Sequence, residues 1–527
     1  MTPSFHLTTQ PCIPVRTGDE AGSRLLSLRQ VFVEAHHILD LALPMPPAQS
    51  GLLRLFTALT ARLTGLDDPG LSRSAWTRRR RELLNTGTGF DPEKADAYFD
   101  AHVFDLFDAQ RPFLQDPRLR TQCVKRAGVN ALAWDRPAGN NLVWRSGGHS
   151  DLTPYPLPAH EAFWHLVIHH YYGASGRCST RTVPGSTLPR DPGLTAGPLR
   201  STLSFHPQGA TLFETLLLHL TPCPDDPDDE DAWTPAADAC PWEEDLPDPL
   251  APLPPATWPG RLLTGRSRHA LLLIPDADGS HVTDAYLTWA HAHPRQPAID
   301  PHHIIDTQPG KDAAHRSRPR HAESARALWR DLDALLLAGD EHSASRRPAV
   351  FNTLNDLPPD VQARLTVRVC GFDQDPKVNN HLWYTALTPP VWNWAQEADP
   401  QAASRIAAAR IAAESFAGLL AKHTKLAWQN TLNPHSAAKG RDCRWARLAL
   451  AAYWPAAETT FWNLVRTEAD DASIRPAFAT TAATALRTAT RNDLLRHAHA
   501  GPAVARALRV LHAAATDRRT TGERRAR

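Results

Sequence analysis

At 527 residues the chain is long enough for two or more domains, each with its own core. No stretch approaches the roughly 18 to 20 apolar residues of a membrane span, and the opening Met-Thr-Pro-Ser-Phe-His lacks the charged and apolar regions of a secretion signal, which points to the cytoplasm. A net charge of +1 excludes a general polyanion binder, and seven cysteines without a C-x-x-C pair argue against a disulfide framework and a cysteine zinc site.

Residues 4–16 read as two short strands punctuated by Pro11 and Pro14. Apolar residues have helical spacing over 26–43 and 50–66, the second with a stripe of Leu52, Leu55, Leu59 and Leu63. The run Arg78-Arg79-Arg80-Arg81 lies in a helix and points all around it, so most of its charge faces solvent. Residues 95–107 are helical and aromatic, leading through Phe104-Asp105-Leu106-Phe107 into Pro112-Phe113-Leu114-Gln115, a pattern of buried rings. A long loop spans 134–158, and long loops carry function more often than short ones. A helix over 159–172 then breaks at Gly173-Ala174-Ser175-Gly176-Arg177, where small residues let another backbone approach closely. That run lacks the G-x-x-x-x-G-K-[ST] spacing of a phosphate loop.

Gly197-Pro198-Leu199-Arg200 precedes an amphipathic helix near 210–220. Residues 221–259 hold eleven prolines and an acidic cluster without one basic residue, which predicts a surface loop or disordered insert. A hairpin comes next, with strands over 269–274 and 281–289; its Asp-x-Asp-Gly turn is too short for a calcium loop. Residues 291–322 are loop-like, and His291, His293, His302 and His303 have no carboxylate at the fixed offset of a metal site. At 365–377, Leu365, Val367 and Val369 alternate as a strand that Gly371 ends. Pro376 stops re-entry into a ladder, leaving Asp373, Gln374 and Asp375 on a polar tip.

Beyond Lys377 the chain is almost purely helical. Asp399-Pro400 supplies an N-cap and first position, and Ile406, Ala409, Ala413, Phe416 and Leu420 form a packing seam. A second helix starts at Trp445 and must kink or divide at Pro455. A third covers 474–497 and a fourth 502–515. The fold class is therefore α+β: a mixed α/β domain over 1–390, a four-helix bundle over 391–516, and a disordered basic tail at 517–527. From Val391 onward, 20 Lys/Arg face 11 Asp/Glu, a balance of +9. A basic body with an acidic insert is compatible with touching nucleic acid.

The motifs of the common hydrolases and nucleotide-binding loops are missing. Gly147-Gly148-His149-Ser150-Asp151 sets Ser, His and Asp side by side, but triads are assembled from separate elements. The residues favour a binding or scaffold protein with no catalytic group.

Taken together, Gln10-Pro11-Cys12-Ile13-Pro14-Val15, the 104–115 stretch, Gly173 to Arg177 with Gly197-Pro198-Leu199-Arg200, Gly371 to Lys377 and the terminal helices resemble the CasA family. CasA is the large subunit of the type I-E CRISPR Cascade surveillance complex. The resemblance spans nearly the whole chain in order. It implies a non-catalytic subunit that recognises the protospacer-adjacent motif (PAM) in double-stranded target DNA, starts unwinding beside it and recruits the helicase–nuclease. The implied partners are the other Cascade subunits and the guide RNA.

It also implies roles for residues. Gln374 would be a wedge inserted below the PAM, flanked by Asp373 and Lys377. Gly173, Ala174, Ser175, Gly176 and Arg177 would form a glycine loop at the minor groove. Asn140, Asn141, Arg145, Gly147 and Gly148 would contact guide RNA and DNA. Trp289 falls near the family's lysine finger, with Arg295 as the substitute cation. No metal and no cofactor are expected, because the C-x-x-C pairs of some relatives are missing. The competing expectation is a purely structural assembly subunit without its own DNA readout.

Overall fold

A computed structural model describes residues 2–18, 22–136, 152–222, 238–254, 256–264, 268–293, 299–307, 317–337, 345–375, 379–432 and 443–516. The chain divides into two units, Met1–Arg326 with Gly339–Trp392, and Ala327–Ala338 with Asn393–Arg527.

The helix Pro46–Thr64 organises the first unit. Every residue in it except Arg62 is buried, so the leucine stripe is one part of a helix enclosed on all sides. Gly51 permits this: a Cβ there would stand 2.5 Å from Val167 Cγ1 and 2.8 Å from Tyr171 Cδ2, so the helix Ala159–Tyr172 packs directly on its backbone. Thr57, Thr60 and Thr64 donate to carbonyls one turn back at 2.6, 2.7 and 2.6 Å, which leaves no hydroxyl stranded. Arg54, fully buried in the same helix, donates to both oxygens of Asp300 at 2.7 and 2.9 Å.

The described strands form four three-stranded antiparallel sheets. One has Ile13–Thr17 between Arg24–Leu26 and Ile38–Leu41. The expected helix over 26–43 is therefore only the six residues Leu28–Val33, flanked by strands too short to reveal their period. Ser27 caps it with a capping box, its hydroxyl accepting from Gln30 N. Only one of the two strands expected at 4–16 forms; His6 makes an isolated bridge to Asp105.

A second sheet places Thr366–Gln374 between Leu203–Gln208 and Asn380–Leu387. Gly371 does not end the strand. It faces Tyr384 in register, and a Cβ there would meet the Tyr384 Cζ at 2.5 Å, so the glycine admits the cross-strand ring. The region after 377 thus begins with a strand, not with helices.

The acidic insert also departs from expectation. Residues 223–237 lie outside the described set, but Cys240 and Trp242 are buried, and Trp242 packs on Phe104 and Phe113 at 5.9 and 5.5 Å. Glu243 accepts from Arg62 at 2.9 and 3.0 Å. Burial raises the Glu243 carboxyl, but hydrogen bonds from Arg62 outweigh that and hold it below the usual range. Paired acids and two buried rings order this part despite its prolines.

In the second unit four helices, Pro400–Leu432, Arg444–Arg466, Asp471–Leu494 and Ala500–Ala513, pack together, the first against each of the others. Asp399 Oδ1 accepts from Gln401 N and Ala402 N at 3.0 and 2.9 Å, the expected cap. Pro455 neither ends nor divides the second helix. Pro455 and Ala451 are both exposed, so water can take the carbonyl that the missing N–H leaves free. The unit also contains Ala327–Ala338, which an expected boundary at 390 omits. Trp329, Leu332, Leu335 and Leu336 of that segment are buried, Trp329 stacking 4.8 Å from Phe461. Among the described residues no helix is long and apolar enough to cross a membrane. The tail at 517–527 lies outside the described residues.

Candidate nucleic-acid interface

The strand Thr366–Gln374 delivers Gln374 to the end of its ladder, where a bulge between Asp373 and Gln374 shifts the register against Asn380. The bulge turns the amide inward. Gln374 is 1 % exposed; its Nε2 donates to Asn380 Oδ1 at 2.7 Å and Tyr172 O at 3.3 Å, and its Oε1 accepts from Ser201 N at 3.3 Å. With both ends of its amide engaged inside packed protein, Gln374 is not on the exposed polar tip that the sequence led us to expect of a wedge. Asp373 is also occupied, accepting from Ser324 N and Oγ at 2.9 and 2.7 Å. The hairpin turn is closed instead by Asp375 and Asn379: Asp375 N donates to Asn379 O at 3.0 Å, and Asn379 N to Asp375 Oδ1 at 2.9 Å. Lys377 lies between them, outside the described residues.

Arg200 fastens this turn to the rest of the unit. Its guanidinium donates to Asp375 O at 3.0 Å, Tyr172 O at 3.1 Å, Asn379 O at 3.1 Å and Asn380 Oδ1 at 3.4 Å. Burial pulls Arg200 down to about 10, opposed by the Asp375 carboxylate. Ser201, held at φ 64°, donates its hydroxyl to Gln374 O at 2.7 Å. The carbonyl of Tyr172 therefore takes hydrogens from both Gln374 and Arg200. Tyr172 is the last residue of the helix Ala159–Tyr172, and Gly173 comes immediately after it. The hairpin turn and the glycine segment spring from one hydrogen-bonded hub.

Within the glycine segment the two glycines do different things. Gly173 is buried, and a Cβ on it would lie 1.8 Å from His269 Cε1 and 2.6 Å from His169 O. Its small size serves packing inside the unit. Gly176, at φ 149°, is exposed and exchanges two hydrogen bonds with Leu194, at 3.0 and 2.8 Å. Arg177 beside it is exposed, while Ala174 and Ser175 are half-buried.

The other expected contacts fall into two groups. Asn140, Asn141, Arg145, Gly147 and Gly148, together with His149, lie outside the described residues, as does Arg295. Trp289 ends the strand His281–Trp289 at 2 % exposure, with its Nε1 donating to Asp191 at 3.3 Å, so it faces packed protein. Sequence reasoning assigned no role to Arg200, Ser201, Tyr172 or Asn380. The one usable signal was an arginine two residues after a Gly-Pro pair, at Arg200.

Residues 6–499 match the model of the CRISPR-associated protein Cse1 family. The CRISPR-associated protein CasA/Cse1 of Thermus thermophilus is 25 % identical over 393 residues, 70 % of this chain and 68 % of that protein. A solved chain described as a CRISPR RNA-guided surveillance complex is 38 % identical, with a TM-score of 0.83 over 97 % of this chain and 99 % of that one. The structure of Thermus thermophilus CasA (Cse1) shares the fold at 21 % identity, with a TM-score of 0.71 over 97 % of this chain and all of that one (100 %). A match over nearly the full length, in sequence and in fold, places this chain in the CRISPR-associated Cse1 (CasA) family.

Proposed function

We propose that the chain is the large, non-catalytic subunit of a type I-E Cascade, acting with the other subunits and the guide RNA. In this reading it recognises the PAM in double-stranded target DNA, initiates unwinding and recruits the helicase–nuclease. The observation that carries it is the hub at Tyr172 O, which fixes the glycine segment and the hairpin turn from a single point. Exposed Gly176, Arg177 and Asn379 then flank a buried, hydrogen-bonded base. The 38 % identical chain from an RNA-guided surveillance complex supports the assembly.

The physics fits this use. Exchanging a DNA duplex for an RNA–DNA hybrid is nearly balanced, so the cost concentrates in opening the first base pairs, roughly a few kcal/mol per unstacked step. A hairpin pressed into the junction lowers that cost without ATP. The prying element is the turn between Asp375 and Asn379, braced by the buried Gln374 amide. Backbone at Gly176 suits close approach to a minor groove, whose degenerate code would tolerate several PAM sequences. Arg177 and Lys377 would neutralise phosphates, and the basic helical block would add salt-dependent attraction.

The test is duplex binding by the assembled complex across a salt series, with matched and altered PAMs. Arg177→Ala with Lys377→Ala should weaken binding by about tenfold or more and flatten the salt slope by up to ~2. Unchanged slope, affinity and PAM discrimination would leave the chain as a structural assembly subunit.

A further inference from the structure

Three histidines from separate elements meet inside the first unit. His206 lies in the strand Leu203–Gln208, His219 caps the helix Leu212–Leu218, and His302 precedes the strand Ile305–Thr307. They are 1, 0 and 0 % exposed, and their ring centroids are 4.8 to 5.1 Å apart. One ring nitrogen from each lies within 4.8 Å of the others.

Their hydrogen bonds leave lone pairs unclaimed. His219 Nε2 faces Pro207 O at 3.1 Å; a carbonyl only accepts, so Nε2 carries the proton and Nδ1 the lone pair. Thr57 Oγ1 sits 3.3 Å from that Nδ1 but directs its proton to Leu53 O at 2.6 Å. His206 Nε2 lies 3.0 Å from Ser50 Oγ, while its Nδ1 has no partner. His302 Nδ1 lies 3.3 Å from Asp300 Oδ1, and its Nε2 has none. Each ring thus has an oxygen beside one nitrogen; the second nitrogen is bare in His206 and His302, and in His219 it faces only the Thr57 hydroxyl oxygen. Bare buried polar atoms are costly, and those of His206 and His302, meeting at a third buried ring, need an explanation.

We propose that His206, His219 and His302 form a three-histidine site for a divalent transition-metal ion of the zinc type. Three imidazoles suit such an ion, and an oxygen partner behind each ring is the arrangement that fixes tautomer and orientation at metal-bound histidines. Asp300 serves two groups, balancing the charge of Arg54 and backing His302. With metal–nitrogen bonds of about 2.1 Å, tetrahedral ligands stand roughly 3.4 Å apart, so the rings close slightly around the ion. The ion would pin strand, helix end and the 300–303 segment together. The proposal revises the expectation of no metal and assigns His302 different companions from His291 and His293.

The full chain, produced with Zn2+ in the medium and purified without chelators, should carry about one metal ion by elemental mass spectrometry. Co2+ in its place should give the visible bands of a tetrahedral nitrogen site without a thiolate charge-transfer band. His302→Gln removes a ligand and should lower metal affinity by more than the about 10- to 100-fold that loss of an outer-shell partner costs. A wild-type chain that carries less than about a tenth of an ion and develops no Co2+ bands overturns the site, whatever the variant's folding. Unchanged metal content in His302→Gln overturns it as well.

Discussion

Taking the guanidinium from Arg200 would remove four hydrogen bonds at the base of the hairpin turn, to three backbone carbonyls and one side-chain oxygen, and leave each acceptor with one fewer donor in a buried or partly buried place. Arg200→Ala should cost about 3 kcal/mol in denaturant unfolding, and Arg200→Lys should recover only part, because an ammonium cannot fork toward several acceptors. Gln374→Ala should cost about 1–3 kcal/mol by the same measurement, since Ser201 N loses its side-chain acceptor and Asn380 Oδ1 loses its shorter donor. A Gln374→Ala chain as stable as wild type, yet unable to open duplex in its complex, would contradict the buried amide. The alternation of Leu365, Val367 and Val369 made the strand legible in the sequence. The inward turn of Gln374 was not, because two of its partners, Ser201 and Tyr172, are 173 and 202 residues away. A glutamine between two aspartates reads as a polar tip until those partners are known.

Among the elements, the glycine segment separates packing from contact most cleanly. Gly173→Ala must push its Cβ against the His269 ring and the His169 carbonyl, so the chain should lose about 1–3 kcal/mol and melt earlier in a thermal scan even without DNA. An unchanged melting temperature would mean the helix and strand around it yield more than their burial suggests. The break after Tyr172 was readable from the composition of 173–177, but not which glycine faces inward. The acidic insert misled for a related reason. Proline and charge counts describe an average, whereas Trp242, Glu243 and Asp238 are ordered by particular partners, among them Phe104 and Arg62. The terminal helices were legible almost to the turn because their apolar spacing is long and their caps are explicit.

At the scale of the whole molecule, buried histidines set how stability varies with pH. Burial is the main cause pushing His169 down to about 3, with His269 adding to it, and pushing His170 and His269 down to about 4. Each directs Nε2 to a carbonyl, of Leu132, Leu114 and Thr195, at 3.0, 2.8 and 2.9 Å. Unfolded, each would titrate near about 6.5. The unfolded chain therefore takes up protons that the folded chain refuses, and these rings contribute their full stability above that pH and lose it as pH falls toward 4. At pH 5 each accounts for a loss of about 2 kcal/mol. Unfolding free energies at pH 7 and 5 check this, and His170→Gln, whose amide can still donate to Leu114 O, should shrink the difference. Equal stability at both pH values would contradict it.

The excursion of residues 327–338 bears on how the protein is made. Trp329 and Arg330 leave the ribosome before any of the helices they brace, Arg330 lying over the Trp454 ring and pairing with Glu414 at 2.7 Å. They must wait unsheltered while the intervening stretch and the later helices are synthesised. No single cut yields both halves whole: a gene split at codon 392 gives the trailing fragment bare faces on Trp454 and Phe461, and one split at codon 327 robs the leading fragment of its central strand.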